Sequence, residues 1–274
     1  VLDRLRFRVI DTHCHLTFPD FAAPKTPGGV ASILKDASAH GVTGCITIST
    51  TTQDCLEALS IATQFSNVWC TAGVHPLHSH EGPHEWANIR TVVRHERCVA
   101  WGELGLDNHY TDPSRSVQDK VLAEQLAFIQ TCRREGVEKP IVVHCREAFA
   151  DLLPILRSSG LPADRFVFHC FTGTPEEAKL VLDFGACISF TGVVTYKNAP
   201  GVRDAAKLMP KDRIMVETDA PFLPPEPKRG VRPCAPWMTS LTAQFIADLR
   251  GEAWGEFHRQ LNENTTRFFG IEAT

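Results

Sequence analysis

A chain of 274 residues with 43% hydrophobic and 22% charged side chains has room for one large mixed α/β core, and its composition is neither fibrous nor disordered. A net charge of −4 gives no global attraction to nucleic acid or to an anionic membrane, so a polyanionic partner must be held by a local patch or by bound cations. No window reaches the length of a membrane span, and VLDRLRFRVI at the start lacks the long apolar region of a signal peptide.

The chain alternates short β-branched runs with amphipathic stretches. The first predicted strand, Phe7–His13, runs into DTHCHL, where strand alternation sets Asp11, His13 and His15 on one face. A helix near 29–40 follows, then strand Val42–Ser49, helix 52–65, strand Val68–Val74, helix 84–96 and strand Cys98–Leu104. The next helix, 115–135, has the clearest apolar stripe, Val117, Val121, Leu122, Leu126 and Ile129, closed by Gly136. Strands Pro140–Cys145, Arg165–Cys170, Ala186–Phe190 and Ile214–Thr218 then alternate with helices near 147–159, 174–184 and 200–209. The Pro-rich stretch APFLPPEPKRGVRPCAP at 220–236 reads as a long loop, and helices near 236–250 and 252–268 close the chain. Eight strand–helix units in this length predict a closed (β/α)8 TIM barrel, one domain over 1–274, with a doubly wound open sheet as the second choice. None of the ten cysteines has Cys-x-x-Cys spacing and most lie in apolar runs, which suits reduced, packed thiols in an intracellular protein, cytoplasmic or nuclear.

In such a barrel the strand C-terminal ends converge on one mouth. The polar residues fall there: His13 and His15 at strand one, His75 in AGVHP after strand three, and Glu103 in WGELGLD at strand four. VVHCREA puts His144 and Arg146 on one face at strand five, VFHCFTG gives His169 at strand six, and VETDAP gives Glu217 and Asp219 at strand eight. Singly, each is more often a hydrogen-bonded structural residue. Crowded at one rim, they are costly unless cations compensate them. Mixed imidazole and carboxylate donors suit Zn²⁺, Mn²⁺ or Fe²⁺ and, with more water, Mg²⁺. Six donors are more than one ion takes from protein, so two divalent ions are expected, with Glu103 bridging them.

The order DTHCHL, GVHP, GELGLD, HCREA, HCF and ETDAP, over 11–221, resembles the TatD family of metal-dependent deoxyribonucleases among the amidohydrolase-like barrels, and NENTTRFFG at 262–270 is similar to that family's closing helix. The resemblance implies divalent-metal hydrolysis of DNA phosphodiesters, often from a 3′ end, on single-stranded or frayed substrate, and no obligate protein partner is evident. It implies His13, His15 and Asp219 around one ion, His144 and His169 around the other, and Glu103 between them. Asp219 is then both ligand and proton acceptor for the attacking water. His75 and Arg146, on the same rim, are assigned to phosphate oxygens, the alternative for Arg146 being an ion pair with Glu147 or Asp151. Glu217 either orients a ligand histidine or holds a third, weaker ion.

One departure concerns the loop after strand eight. The family usually carries an Arg-Asn-Glu-Pro-like segment there; this chain reads RGVRPCAPWM, keeping Arg232 and Pro236 without the Asn-Glu pair. Lys228, Arg229 and Arg232 face either the DNA backbone or bulk solvent, and Tyr110, Phe171, Phe222 and Trp237 either stack bases or pack under loops. A competing chemistry is hydrolysis of a small amide, lactone or phosphotriester, but such enzymes commonly bridge their metals with a carboxylated lysine where Glu103 stands. A binding scaffold with a vestigial site would lack a ligand, and none is missing.

Overall fold

In the computed structural model, which describes residues 8–23 and 25–271, eight strands form one sheet in sequence order. They are β1 (Val9–Cys14), β2 (Val42–Thr47), β3 (Val68–Ala72), β4 (Cys98–Asp107), β5 (Ile141–Arg146), β6 (Phe166–Phe168), β7 (Cys187–Phe190) and β8 (Ile214–Val216). Each pairs in parallel with the next. The ring closes where Cys14 bridges Ala220, with Asp219 N donating to His13 O at 2.9 Å and His15 N to Ala220 O at 2.8 Å. This is the (β/α)8 TIM barrel that the alternation predicts. Phe7, where the first predicted strand begins, lies outside the described residues.

The helices are α1 (Gly29–Ala39), α2 (Asp54–Gln64), α3 (Trp86–Val93), α4 (Arg115–Arg134), α5 (Phe149–Ser158), α6 (Pro175–Phe184), α7 (Pro200–Leu208), α8 (Thr239–Arg250) and α9 (Trp254–Phe269). Apolar side chains divide into two cores. Outer strand faces pack against the helices, whereas Ile10, Ile46, Trp69, Val142 and Met215 fill a second cluster with Phe268, Phe269 and Ile271 from the end of the chain. The α9 end thus plugs the barrel opposite its mouth, held by Asn264 Nδ2, which donates to Lys211 O and Ile214 O. The ten cysteines are free thiols, nine of them buried, as packing predicts. No helix among the described residues is long and apolar enough to cross a membrane.

The differences from the sequence reading sit at strand ends. β4 runs to Asp107, three residues beyond the predicted Leu104. Gly105 makes that possible: at φ 151 it brings β4 so close to β5 that a Cβ there would lie 1.9 Å from His144 O. β6 and β8 stop short of the predicted Cys170 and Thr218, because Cys170 (φ 44) and Asp219 (φ 59) turn the chain through the left-handed region. Helix α4 buries two glutamines that grip main chain. Gln118 accepts from Asp107 N at 2.9 Å and donates to Asp107 O at 2.9 Å; Gln125 accepts from Val74 N at 2.8 Å and donates to Val74 O at 2.9 Å.

Candidate metal centre

Strand alternation alone would put Asp11 beside His13 and His15. It does not stand there. The pairing of β1 with β2 shifts register between Asp11 and Cys14, and such an irregularity re-aims side chains. Asp11 instead receives Thr218 N at 2.9 Å and Thr218 Oγ1 at 2.6 Å, tying the two strands of the seam; burial pushes its carboxyl up to about 8. That seam places Asp219 next to the two histidines, with its Oδ1 3.2 Å from His15 Nε2 and 3.7 Å from His13 Nε2.

Glu103, 1% exposed, is the hub. Its Oε1 lies 2.5 Å from His169 Nε2, 2.8 Å from His144 Nδ1 and 3.4 Å from His75 Nε2, and its Oε2 lies 3.4 Å from His13 Nε2. Donor groups within 4.8 Å of one another are His13, His15 and Asp219; His13, Glu103 and His169; and His75, Glu103 and His144. Clusters on either side of Glu103 make this a binuclear metal centre. The expected donors all converge, and His75, assigned from sequence to phosphate, also reaches donor distance.

The outer ring nitrogens explain how the inner ones are presented. His15 Nδ1 donates to Ile48 O at 3.3 Å and His144 Nε2 to Asp107 Oδ2 at 3.0 Å, so in the neutral rings His15 Nε2 and His144 Nδ1 carry inward lone pairs. His75 Nδ1 accepts from Leu77 N at 3.0 Å, leaving the proton on Nε2, and burial pulls this imidazole down to about 4. Neither ring nitrogen of the fully buried His13 has a hydrogen-bond partner. An orphaned buried polar group costs about 1–3 kcal/mol, and here it faces two carboxylates just beyond hydrogen-bond reach. A divalent ion among these donors fits that arrangement.

Glu217, 1% exposed, accepts from Cys170 N at 2.5 Å and lies 3.4 Å from His169 Nδ1. The contact to His169 is electrostatic rather than a formed hydrogen bond, since that nitrogen has no hydrogen-bond partner. Glu217 belongs to none of the three-donor groups among the described residues. Asp107 was missed in sequence. It stands four residues after Glu103 in GELGLD, and its strand parity was the available signal. Replacing Asp107 with Ala is expected to weaken metal binding about 10–100-fold, as loss of a partner behind a ligand histidine does, measured by titration calorimetry. Unchanged affinity would leave Asp107 as packing.

Without metal the cluster retains protons. Burial opposes a charged His169, but Glu103 and Glu217 outweigh it and hold the imidazole well above its ordinary value. Burial likewise opposes ionisation of Glu103, yet His169, His75 and His13 hold its carboxyl well below the usual range. Imidazoles must be neutral to bind metal, so loading releases protons, and affinity should fall as pH drops through the raised His169 value, beginning above the ordinary 6.5. Metal titrations in buffers of differing ionisation heat would count the protons. A pH-independent affinity from 8 to 6 contradicts this scheme.

His13 is fully buried, and His15, His75, Glu103, His144, His169 and Asp219 line a cavity of about 870 Å³. Arg146 lines it, 5.1 Å from the Tyr110 ring, while its alternative partners are taken: Glu147 by His109 at 2.9 Å and Asp151 by Arg115 at 2.6 Å. Of the basic loop, Lys228 lies over Trp237 and Arg229 over Tyr196; Arg232 lines the cavity. The four aromatics divide in the same way. Phe171 is buried against Phe149 and Phe190, and Trp237 is half-buried against His40, whereas Tyr110 and Phe222 are exposed at the cavity.

Comparison with known proteins agrees with this centre. The profile described as TatD related DNase matches residues 10–270. The chain is 37% identical over 268 residues to YcfH of Escherichia coli K12, described as an uncharacterized metal-dependent hydrolase, covering 97% of each chain. It is 32% identical over 268 residues to the 3′-5′ ssDNA/RNA exonuclease TatD of Enterobacter lignolyticus, covering 96% of this chain and 99% of that one. The crystal structure of YJJV, a TatD homolog of Escherichia coli K12, superposes with a TM-score of 0.86 at 28% identity over 97% of this chain and 99% of that chain.

Proposed function

Because the chain belongs to the TatD-related DNase family of metal-dependent hydrolases, we propose that it is an exonuclease that shortens single-stranded or frayed DNA stepwise from the 3′ end. The observation that carries this reading is Glu103 shared between two donor clusters and lining an open cavity, with arginine on its wall. The similarity to an exonuclease named for 3′-5′ action supports the polarity.

In this reading His13, His15 and Asp219 would hold one ion, His144 and His169 the other, and Glu103 would serve both. Two divalent ions at this spot, of Mg, Mn or Zn, supply activation of water and neutralisation of the charge that builds on phosphate and leaving oxygen. The chain does the rest. Asp219, held ionised because its contacts with His15 and His13 outweigh burial, orients the attacking water and takes its proton. His75, with its proton fixed on Nε2, donates to a non-bridging phosphate oxygen, and Arg146 binds phosphate through its guanidinium fork.

A 5′-labelled oligonucleotide incubated with protein and Mg²⁺ or Mn²⁺ tests the function. A ladder should shorten with time and vanish on chelation. Digestion unaffected by a blocked 3′ end would remove the polarity, and fast hydrolysis of a lactone or phosphotriester with DNA intact would replace the nuclease reading altogether. Arg146→Ala should raise KM and flatten the dependence of log KM on log salt by about 0.7 for one lost single-strand phosphate contact. An unchanged slope would return Arg146 to its Tyr110 stack alone.

A further inference from the structure

Five large hydrophobic side chains stand exposed among the described residues, and the two aromatic ones, Tyr110 (49%) and Phe222 (39%), both line the cavity above the metal centre. Tyr110 sits in the loop after β4, beside the Arg146 guanidinium. Phe222 sits in the loop after β8 and meets Phe18 edge-on at 5.8 Å, and Phe18 stacks on His15 at 4.7 Å. In a closed ring of eight strands in sequence order, β4 and β8 are diametrically opposed. The two rings therefore stand on opposite walls, with Glu103 of β4 and Asp219, three residues past β8, between them. Each wall also brings an arginine to the cavity, Arg146 on one side and Arg232 on the other.

We infer that Tyr110 and Phe222 form a two-sided clamp for the unpaired nucleobases on either side of the scissile phosphate. The inference rests on the nuclease reading and deepens it. A phosphodiester seated at Glu103 and Asp219 carries one nucleoside towards each wall, and every base offers a π-face to an aromatic ring whatever its identity. A base within a duplex is already stacked on both faces. The clamp thus makes single-strandedness over the last two nucleotides a requirement of binding, and it selects against duplex without reading sequence.

Single-stranded oligonucleotides with an abasic nucleotide at the 3′ end, next to it, or four positions away test this. Loss of one base–aromatic contact weakens binding about fivefold to a hundredfold. Either flanking abasic site should therefore raise KM by that factor with a smaller change in kcat, and the distant one should not. Tyr110→Leu and Phe222→Leu should each erase the penalty at one flanking position, whereas Tyr110→Phe and Phe222→Tyr should keep it. Normal cutting of all three abasic strands overturns the clamp while the nuclease reading stands. Failure to cut the unmodified strand overturns both.

Discussion

Glu103→Gln is expected to cost at least about a thousandfold in kcat/KM and to lower the bound metal below two ions per chain. Glu103 has four imidazole nitrogens within 3.4 Å and is common to two of the three donor groups, so no neighbour can substitute for it. Gln keeps the shape, but it offers one neutral acceptor in place of two charged oxygens, and its amide N–H₂ would confront a cation. Losing several kcal/mol of charge stabilisation, at a factor of ten per 1.4 kcal/mol, sets the scale. Metal content by mass spectrometry after dialysis and steady-state kinetics give independent readings. Two retained ions with near-normal turnover would end the bridging assignment.

Asp219→Asn should cut turnover by orders of magnitude with little change in thermal unfolding of the metal-free protein. The backbone at Asp219 has φ 59, a conformation that asparagine tolerates and most residues do not, so the substitution leaves the turn at the seam intact. The backbone bond from Asp219 N to His13 O is also kept. What disappears is the charge facing His15 and His13 and the capacity to accept a proton. Asp219→Ala would mix the chemical loss with strain at that φ. A kcat within tenfold of wild type for the Asn protein would remove Asp219 from proton transfer.

The barrel and its donors were legible because they depend on local pattern: eight short β-branched runs alternating with helices, six of them leading into a histidine or carboxylate. Alternation failed at Asp11, where a register shift turns the side chain to Thr218, a partner 207 residues away that no local rule could supply. It would have succeeded at Asp107, but ending the strand at Leu104 hid that residue; the extension depends on Gly105 meeting β5. The fate of the rim residues was not legible for a different reason. Phe171 and Phe222 look alike in sequence, and only the packing of Phe149 and Phe190 around one of them separates a core ring from an exposed one.

The two glutamines of α4 constrain how this protein can drift. Gln118 and Gln125 lie about two helical turns apart, and each clasps both main-chain atoms of one residue, Asp107 behind His144 and Val74 just before His75. Their spacing is a ruler for the distance between two loops of the mouth. One residue inserted between them would swing one amide about 100° around the helix and away from its strand end. Lineages of this fold can lengthen surface loops at small cost, but between those two positions α4 must keep its length as long as the mouth keeps its shape.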